Sequence, residues 1–174
     1  MDFFTVPTTT RRVLFVLVVL AHQRRRVIHF NVTEHPTAPG TAPQIVAVFP
    51  EDTAPAYLLR DRDEAYALAV RRRVKDMRIR EVFTAAQSPW PTPFVEELIG
   101  SIRRECLAQV LVRSERHLHR VLSRYCAYYH RARTHLSLEK DAPDGRPIEP
   151  PEGARVVPIP EVGGLHHRYA RQAA

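Results

Sequence analysis

Only two cysteines, Cys106 and Cys126, occur in 174 residues, without CxxC spacing or a histidine-rich neighbourhood. That scarcity excludes a zinc site and a disulfide framework, and it reads as a pair of reduced, intracellular thiols. Long apolar runs are also missing. The longest, Val13 to Ala21, falls far short of the ~20 residues that span a bilayer. Thr8, Thr9, Thr10, Arg11 and Arg12 precede it, and Arg24, Arg25 and Arg26 follow with no small-residue cleavage site, so it has no signal-peptide layout. A cytoplasmic protein with no membrane partner is the expectation.

Negative charge is the minority sign. Lys and Arg number 26 against 19 Asp and Glu, giving +7 and a pI near 10.0. An extended polyanion favours such a surplus because phosphate contacts release condensed counterions, so nucleic acid is the partner that charge suggests. A chain of this length holds one ordinary domain with a real core, plus a tail.

Hydrophobic patterning supplies the order of elements. Val13 to Leu20 is continuous and rich in β-branched residues, as expected for a strand buried on both faces. Phe3 to Val6 and Arg26 to Val32 read as its neighbours, and the short connections make the three an antiparallel meander. Thr41 to Phe49 has helical spacing, although Pro39, Gly40 and Pro43 crowd its start. Tyr57 to Leu59 and Ile79 to Phe83 are short strands around a helix from Asp63 to Met77, a βαβ unit with parallel pairing. After the proline-rich loop Ala86 to Pro93, one helix begins near Phe94, and a second runs from about Ser114, its cap, to Arg133. The expected architecture is α/β: a mixed five-stranded sheet of three antiparallel and then two parallel strands, flanked by helices. It occupies residues 1–141, and a Pro-rich extended tail fills 142–174.

Three acids stand beside apolar runs at telling places in that order. Asp2 opens the first strand, Asp61 ends the fourth, and Glu96 lies in the first turn of the helix after the fifth. Carboxylates gathered from distant parts of a chain are what a hard divalent cation requires, because it takes oxygen ligands and keeps waters for its substrate. Asp63 competes with Asp61 but suits the N-cap of the following helix. Glu97 competes with Glu96, and either acid suits the positive end of a helix. Arg103 stands seven positions after Glu96, close to two turns on, so that Glu96, Gly100 and Arg103 share a face. Arg24 to Arg26 and Arg71 to Arg73 are charge runs of the kind that solvated faces carry, with contact to DNA as the alternative.

These segments together resemble the catalytic core of retroviral-type integrases and bacterial insertion-sequence transposases, the DDE family with a ribonuclease H-like fold. The resemblance runs from Asp2 to about Pro147. It rests on Asp2-Phe3-Phe4-Thr5-Val6, on Leu58-Leu59-Arg60-Asp61, and on Pro93-Phe94-Val95-Glu96, with 35 positions between Asp61 and Glu96. Tyr128 to Leu138 is similar to the family's Tyr-Asn-x-x-Arg-Pro-His-x-Ser-Leu signature, with His130 in place of Asn. Pro91 and Thr92 stand where relatives carry Gln-Asn or Asn-Gly.

The resemblance implies two-metal strand cleavage and transfer on DNA, with Asp2, Asp61 and Glu96 holding two Mg²⁺ or Mn²⁺ ions and Arg103 and Arg104 contacting DNA. Element ends and a target duplex would be the substrates, and a second copy or a full-length transposase the protein partner. The chain starts one residue before Asp2 and lacks the upstream helix-turn-helix of such transposases. An N-terminally truncated insertion-sequence product is therefore expected.

Overall fold

The computed structural model describes residues 1–49, 54–60, 68–83, 93–148 and 154–173. Strand β2 (Val13–Ala21) pairs antiparallel with β1 (Asp2–Pro7) and with β3 (Arg26–Thr33), in the order β1-β2-β3. Asp2 lies opposite Val18. Strands β4 (Tyr57–Arg60) and β5 (Arg80–Phe83) pair in parallel. The two ladders meet where the Met1 nitrogen donates to the Leu59 carbonyl at 2.7 Å, which sets the start of β1 beside the end of β4.

Alternation along β2 divides the core in two, because successive side chains point to opposite faces. Leu14, Val16, Val18 and Leu20 pack with Phe4 and Val6 against helices α3 (Pro93–Glu105) and α4 (Glu115–Arg131). Leu17 and Val19 join Met1, Phe49, Leu58, Val70, Val74 and Ile79 on the other side. That second face is covered by α1 (Ala38–Val48) and α2 (Leu68–Asp76). The result is a sheet between two helical layers, and β2 is buried on both faces as its composition predicts. Fully burying a Leu such as Leu14, Leu98 or Leu118 contributes roughly 1.5–3 kcal/mol.

Local chemistry explains the helix ends. Ser114 caps α4, its hydroxyl accepting from the His117 N–H at 3.2 Å, a bond whose removal costs about 1 kcal/mol in typical helices. Thr37 does the same for α1 through the Gly40 N–H at 3.3 Å. That cap lets the helix begin ahead of Thr41 despite its prolines. Pro93 opens α3, where its missing N–H is no loss. The sequence-predicted loop over 86–93 and the first turn of the Asp63 helix lie outside the described residues, apart from Pro93.

The Pro-rich segment beyond residue 141 is not merely an extended tail. β6 (Ala154–Glu161) and β7 (His166–Ala173) form an antiparallel ribbon. His166 docks it on the body, stacking on Tyr128 with ring centroids 4.4 Å apart and bonding the Glu105 carbonyl at 2.8 Å. A period-2 pattern broken by Pro158 and Pro160 hides these strands in sequence.

Candidate functional site

Asp2 shares the β1 face of Phe4 and Val6, the face on which α3 packs. Its Oδ1 accepts the Phe3 N–H at 2.7 Å. Glu96 is exposed in the first turn of α3. Arg103, two turns further on, lies over the Phe4 ring at 5.8 Å, which sets α3 beside the strand that carries Asp2. Asp61 lies outside the described residues, as does its competitor Asp63. The residue before Asp61, Arg60, is fully buried, paired with Glu81 at 2.6 Å and stacked over Phe83 at 4.6 Å, so the chain entering Asp61 is firmly held. Among the described residues, which do not include Asp61, no three His, Cys, Asp or Glu side chains come close enough to hold a metal.

Glu97 is engaged elsewhere. It pairs with Arg25, whose guanidinium also sits 4.7 Å over Phe94. Glu97 thus ties α3 to the β2–β3 connection. Arg104 folds back along α3. A Cβ on Gly100 would come within 2.8 Å of its Nη1, so the missing side chain there lets the guanidinium lie one turn nearer Glu96.

Arg24 to Arg26 each have a partner within the fold. Arg24 bonds Asp141 at 2.7 Å and the carbonyls of Ala142 and Pro143. Arg26 lies 3.5 Å from Asp144. All three cations are used within the fold, holding the β2–β3 connection to α3 and to the segment after α4. Arg71 to Arg73 remain exposed on α2, with Arg71 over Phe83 at 5.6 Å.

One network has no counterpart among the sequence-predicted sites. Arg133 donates to Glu105 from Nε at 2.8 Å and from Nη2 at 2.6 Å, and it reaches the Ser101 hydroxyl at 3.2 Å. Tyr125 donates to the same carboxylate at 2.7 Å. Burial pushes the Glu105 carboxyl up, but the bonds from Arg133 and Tyr125 outweigh it and hold the group below its ordinary value. Those bonds in turn raise the Arg133 guanidinium.

His135 is 6 % exposed and packs edge-on against Tyr129. Desolvation, then the nearby Arg133 and Arg25 charges, lowers it to about 4. His130 accepts the Val27 N–H at 3.0 Å, tying α4 to β3. The Tyr128-to-Leu138 segment is thus a clamp that holds α3, and with it Glu96, against α4. Its only signal in sequence is the resemblance, because Glu105 and Arg133 are 28 residues apart.

The family model "Integrase core domain" matches residues 77–143, a span that includes Glu96, Glu105 and Arg133 but not Asp2 or Asp61. No curated protein matches the chain in sequence. A chain of the simian T-cell lymphotropic virus intasome, solved in complex with the PP2A regulatory subunit B56 gamma, superposes with TM-score 0.64 at 12% identity, covering 98% of this chain. The match spans 66% of that chain's own length. The catalytic core domain of BIV integrase superposes with TM-score 0.56 at 14% identity, covering 82% of this chain and 89% of that one. The protein has the ribonuclease H-like fold of integrase catalytic cores, and its residues 77–143 match the integrase core domain.

Proposed function

We propose that the chain is the catalytic core of a DDE transposase or integrase, of the bacterial insertion-sequence type, that cuts and joins DNA phosphodiesters. The observation that carries this reading is the approach of α3, which bears Glu96, to the Asp2 strand, whose start is itself bonded to the end of β4. Leu59, which accepts that bond, stands two residues before Asp61.

Asp2, Asp61 and Glu96 offer oxygen ligands only, the donor set a hard cation such as Mg²⁺ or Mn²⁺ takes. The buried thiols Cys106 and Cys126, which burial pushes up to about 11 and about 12, supply no competing soft ligand. Two bound ions would supply Lewis-acid stabilisation of the attacking and leaving oxygens. The three carboxylates would hold the ions, whose charge would relieve their mutual repulsion. Arg103 and Arg104, exposed in the last turn of α3, orient the phosphate being cut. Element ends and a target duplex are the substrates, and a second copy of the chain or a full-length transposase is the protein partner.

The test is a labelled duplex with a free 3′-hydroxyl, a target duplex, and Mg²⁺ or Mn²⁺, with Mn²⁺ binding followed in parallel by electron paramagnetic resonance. Joined product that disappears, together with Mn²⁺ binding, in Asp61→Asn and Glu96→Gln but survives in Glu97→Gln is expected. Metal-independent cleavage, or activity that survives Glu96→Gln, overturns the proposal. Cleavage without joined product replaces it with a nuclease lacking strand transfer.

A further inference from the structure

Helix α4 buries Leu118, Leu122, Tyr125, Cys126 and Tyr129 in the core. Its opposite side carries Arg116, Arg120, Arg124 and Arg131, all exposed. At ~100° per residue these four fall within about 80° of the helix circumference, and they extend over ~22 Å of its length. Glu115 is the only acid in the helix. Among the described residues, none of the four arginines comes within 4.0 Å of a carboxylate, although eight ion pairs occur elsewhere.

A solvated helix face ordinarily alternates sign, because opposite charges four residues apart stabilise it and like charges destabilise it. Arg116–Arg120 and Arg120–Arg124 are two such like-charge pairs. Arg116, Arg120 and Arg124 also border a cavity of about 480 Å³, closed on its other side by Asn31 and Val32 of β3. Glu115, which lines the same groove, is the one acid beside them, and it forms no ion pair with them. β3 is the strand of its sheet farthest from β1, so this face is separate from the one bearing Asp2 and Glu96.

We infer that the α4 arginine stripe is a second nucleic-acid surface, which grips the phosphate backbone of duplex DNA without reading its sequence. Guanidinium groups match phosphate oxygens in a planar fork. An acidic protein partner fits less well, because stable protein interfaces have an apolar centre and this stripe offers only Ala127 between its cations. A single strand fits less well too, since such sites present exposed aromatics for base stacking, whereas Tyr128 is stacked on His166 and Tyr125 and Tyr129 are buried. The inference rests on the reading that DNA is the substrate, and it adds a DNA-gripping face at the β3 edge of the sheet, opposite the β1 edge that carries Asp2.

Binding of a fluorescent duplex of arbitrary sequence, in EDTA and between 50 and 200 mM salt, tests it. Replacing all four arginines by Gln is expected to flatten the slope of log K against log salt by about 3–4, roughly 0.9 for each phosphate that is no longer neutralised. The double variant Arg116→Gln/Arg124→Gln is expected to flatten it by about 2. Both should melt no lower than the parent, since they remove like-charge repulsion. Exchanging Arg11, Arg78, Arg80 and Arg155, exposed elsewhere on the chain, removes the same charge and should leave the slope unchanged. Equal slopes in parent and stripe variants, equal flattening in stripe and control variants, or tighter binding of poly-glutamate than of DNA would overturn the inference. Because EDTA removes divalent ions, the outcome is independent of catalysis: cleavage surviving Glu96→Gln refutes the proposed function and leaves the stripe standing.

Discussion

Replacing Arg133 by Met removes the guanidinium while keeping a long apolar stem, and it strands the Glu105 carboxylate with the Tyr125 hydroxyl and no cation. Side-chain exposures of 20% for Arg133 and 26% for Glu105 place the pair between the surface and the interior. Breaking a fully buried pair costs about 3–5 kcal/mol, whereas exposed pairs contribute less than about 1. Two donor bonds to the carboxylate and one to Ser101 disappear together, so about 2–3 kcal/mol is expected at this intermediate burial. For a chain of this size each kcal/mol moves Tm by about 2–4 °C, giving a fall of roughly 4–12 °C.

Urea unfolding of the parent, Arg133→Met, Glu105→Gln and the double variant closes a cycle, in which a coupling of about 1–3 kcal/mol is expected. Arg133→Lys keeps the charge but not the fork, and it should recover only part of the stability. A change under about 0.5 kcal/mol in Arg133→Met, or additive effects of the single variants, would refute the clamp. DNA joining should fall along with stability, since the clamp positions the helix that bears Glu96.

Acid should destabilise the fold through its histidines. His135 drops from 6.5 unfolded to about 4 folded, so the unfolded chain binds the extra proton between those values. Stability is therefore flat above pH 6.5 and declines towards pH 4, by at most about 3 kcal/mol for this group. His22, His29 and His130 are lowered as well, mainly by burial, and act in the same direction. A parent melting curve that is unchanged between pH 7 and pH 4.5 would contradict this. His166→Ala removes the stack on Tyr128 and the bond to the Glu105 carbonyl, and it should release the β6–β7 ribbon. Amide exchange across residues 154–173 should accelerate about three- to tenfold while α4 is unaffected, matching an interaction of about 0.5–1.5 kcal/mol.

Much of the fold can be read from local pattern. The continuous apolar run of β2, the apolar stripe of α4 and the Ser114 cap each have a period or a spacing of a few residues. The position of Glu96 at the head of α3, and the place of the acids in the order of elements, come from the same kind of reasoning. Where the pattern failed, the deciding interaction was one that composition does not show. Pro39, Gly40 and Pro43 crowd the start of a helix expected from Thr41, yet Thr37 caps it and it begins at Ala38. Prolines at 158 and 160 suggested a loose tail, yet those residues pair with Tyr169 and His167 across a ribbon.

The order of strands and helices and the surplus of positive charge are legible in the sequence itself, since periodicity and composition are written locally, whereas Asp2, Asp61 and Glu96 are singled out there by the resemblance to a known family. Tertiary structure alone decided how the charges are used. Arg24, Arg25 and Arg26 look alike in sequence, but each meets its own partner, Asp141, Glu97 or Asp144. Glu97 is drawn to Arg25, and the stripe of Arg116, Arg120, Arg124 and Arg131 is left without a carboxylate among the described residues. Ion pairing depends on distance through space and carries no sequence period, so the same residue type becomes a clamp, a tie or an exposed stripe according to what the fold brings beside it.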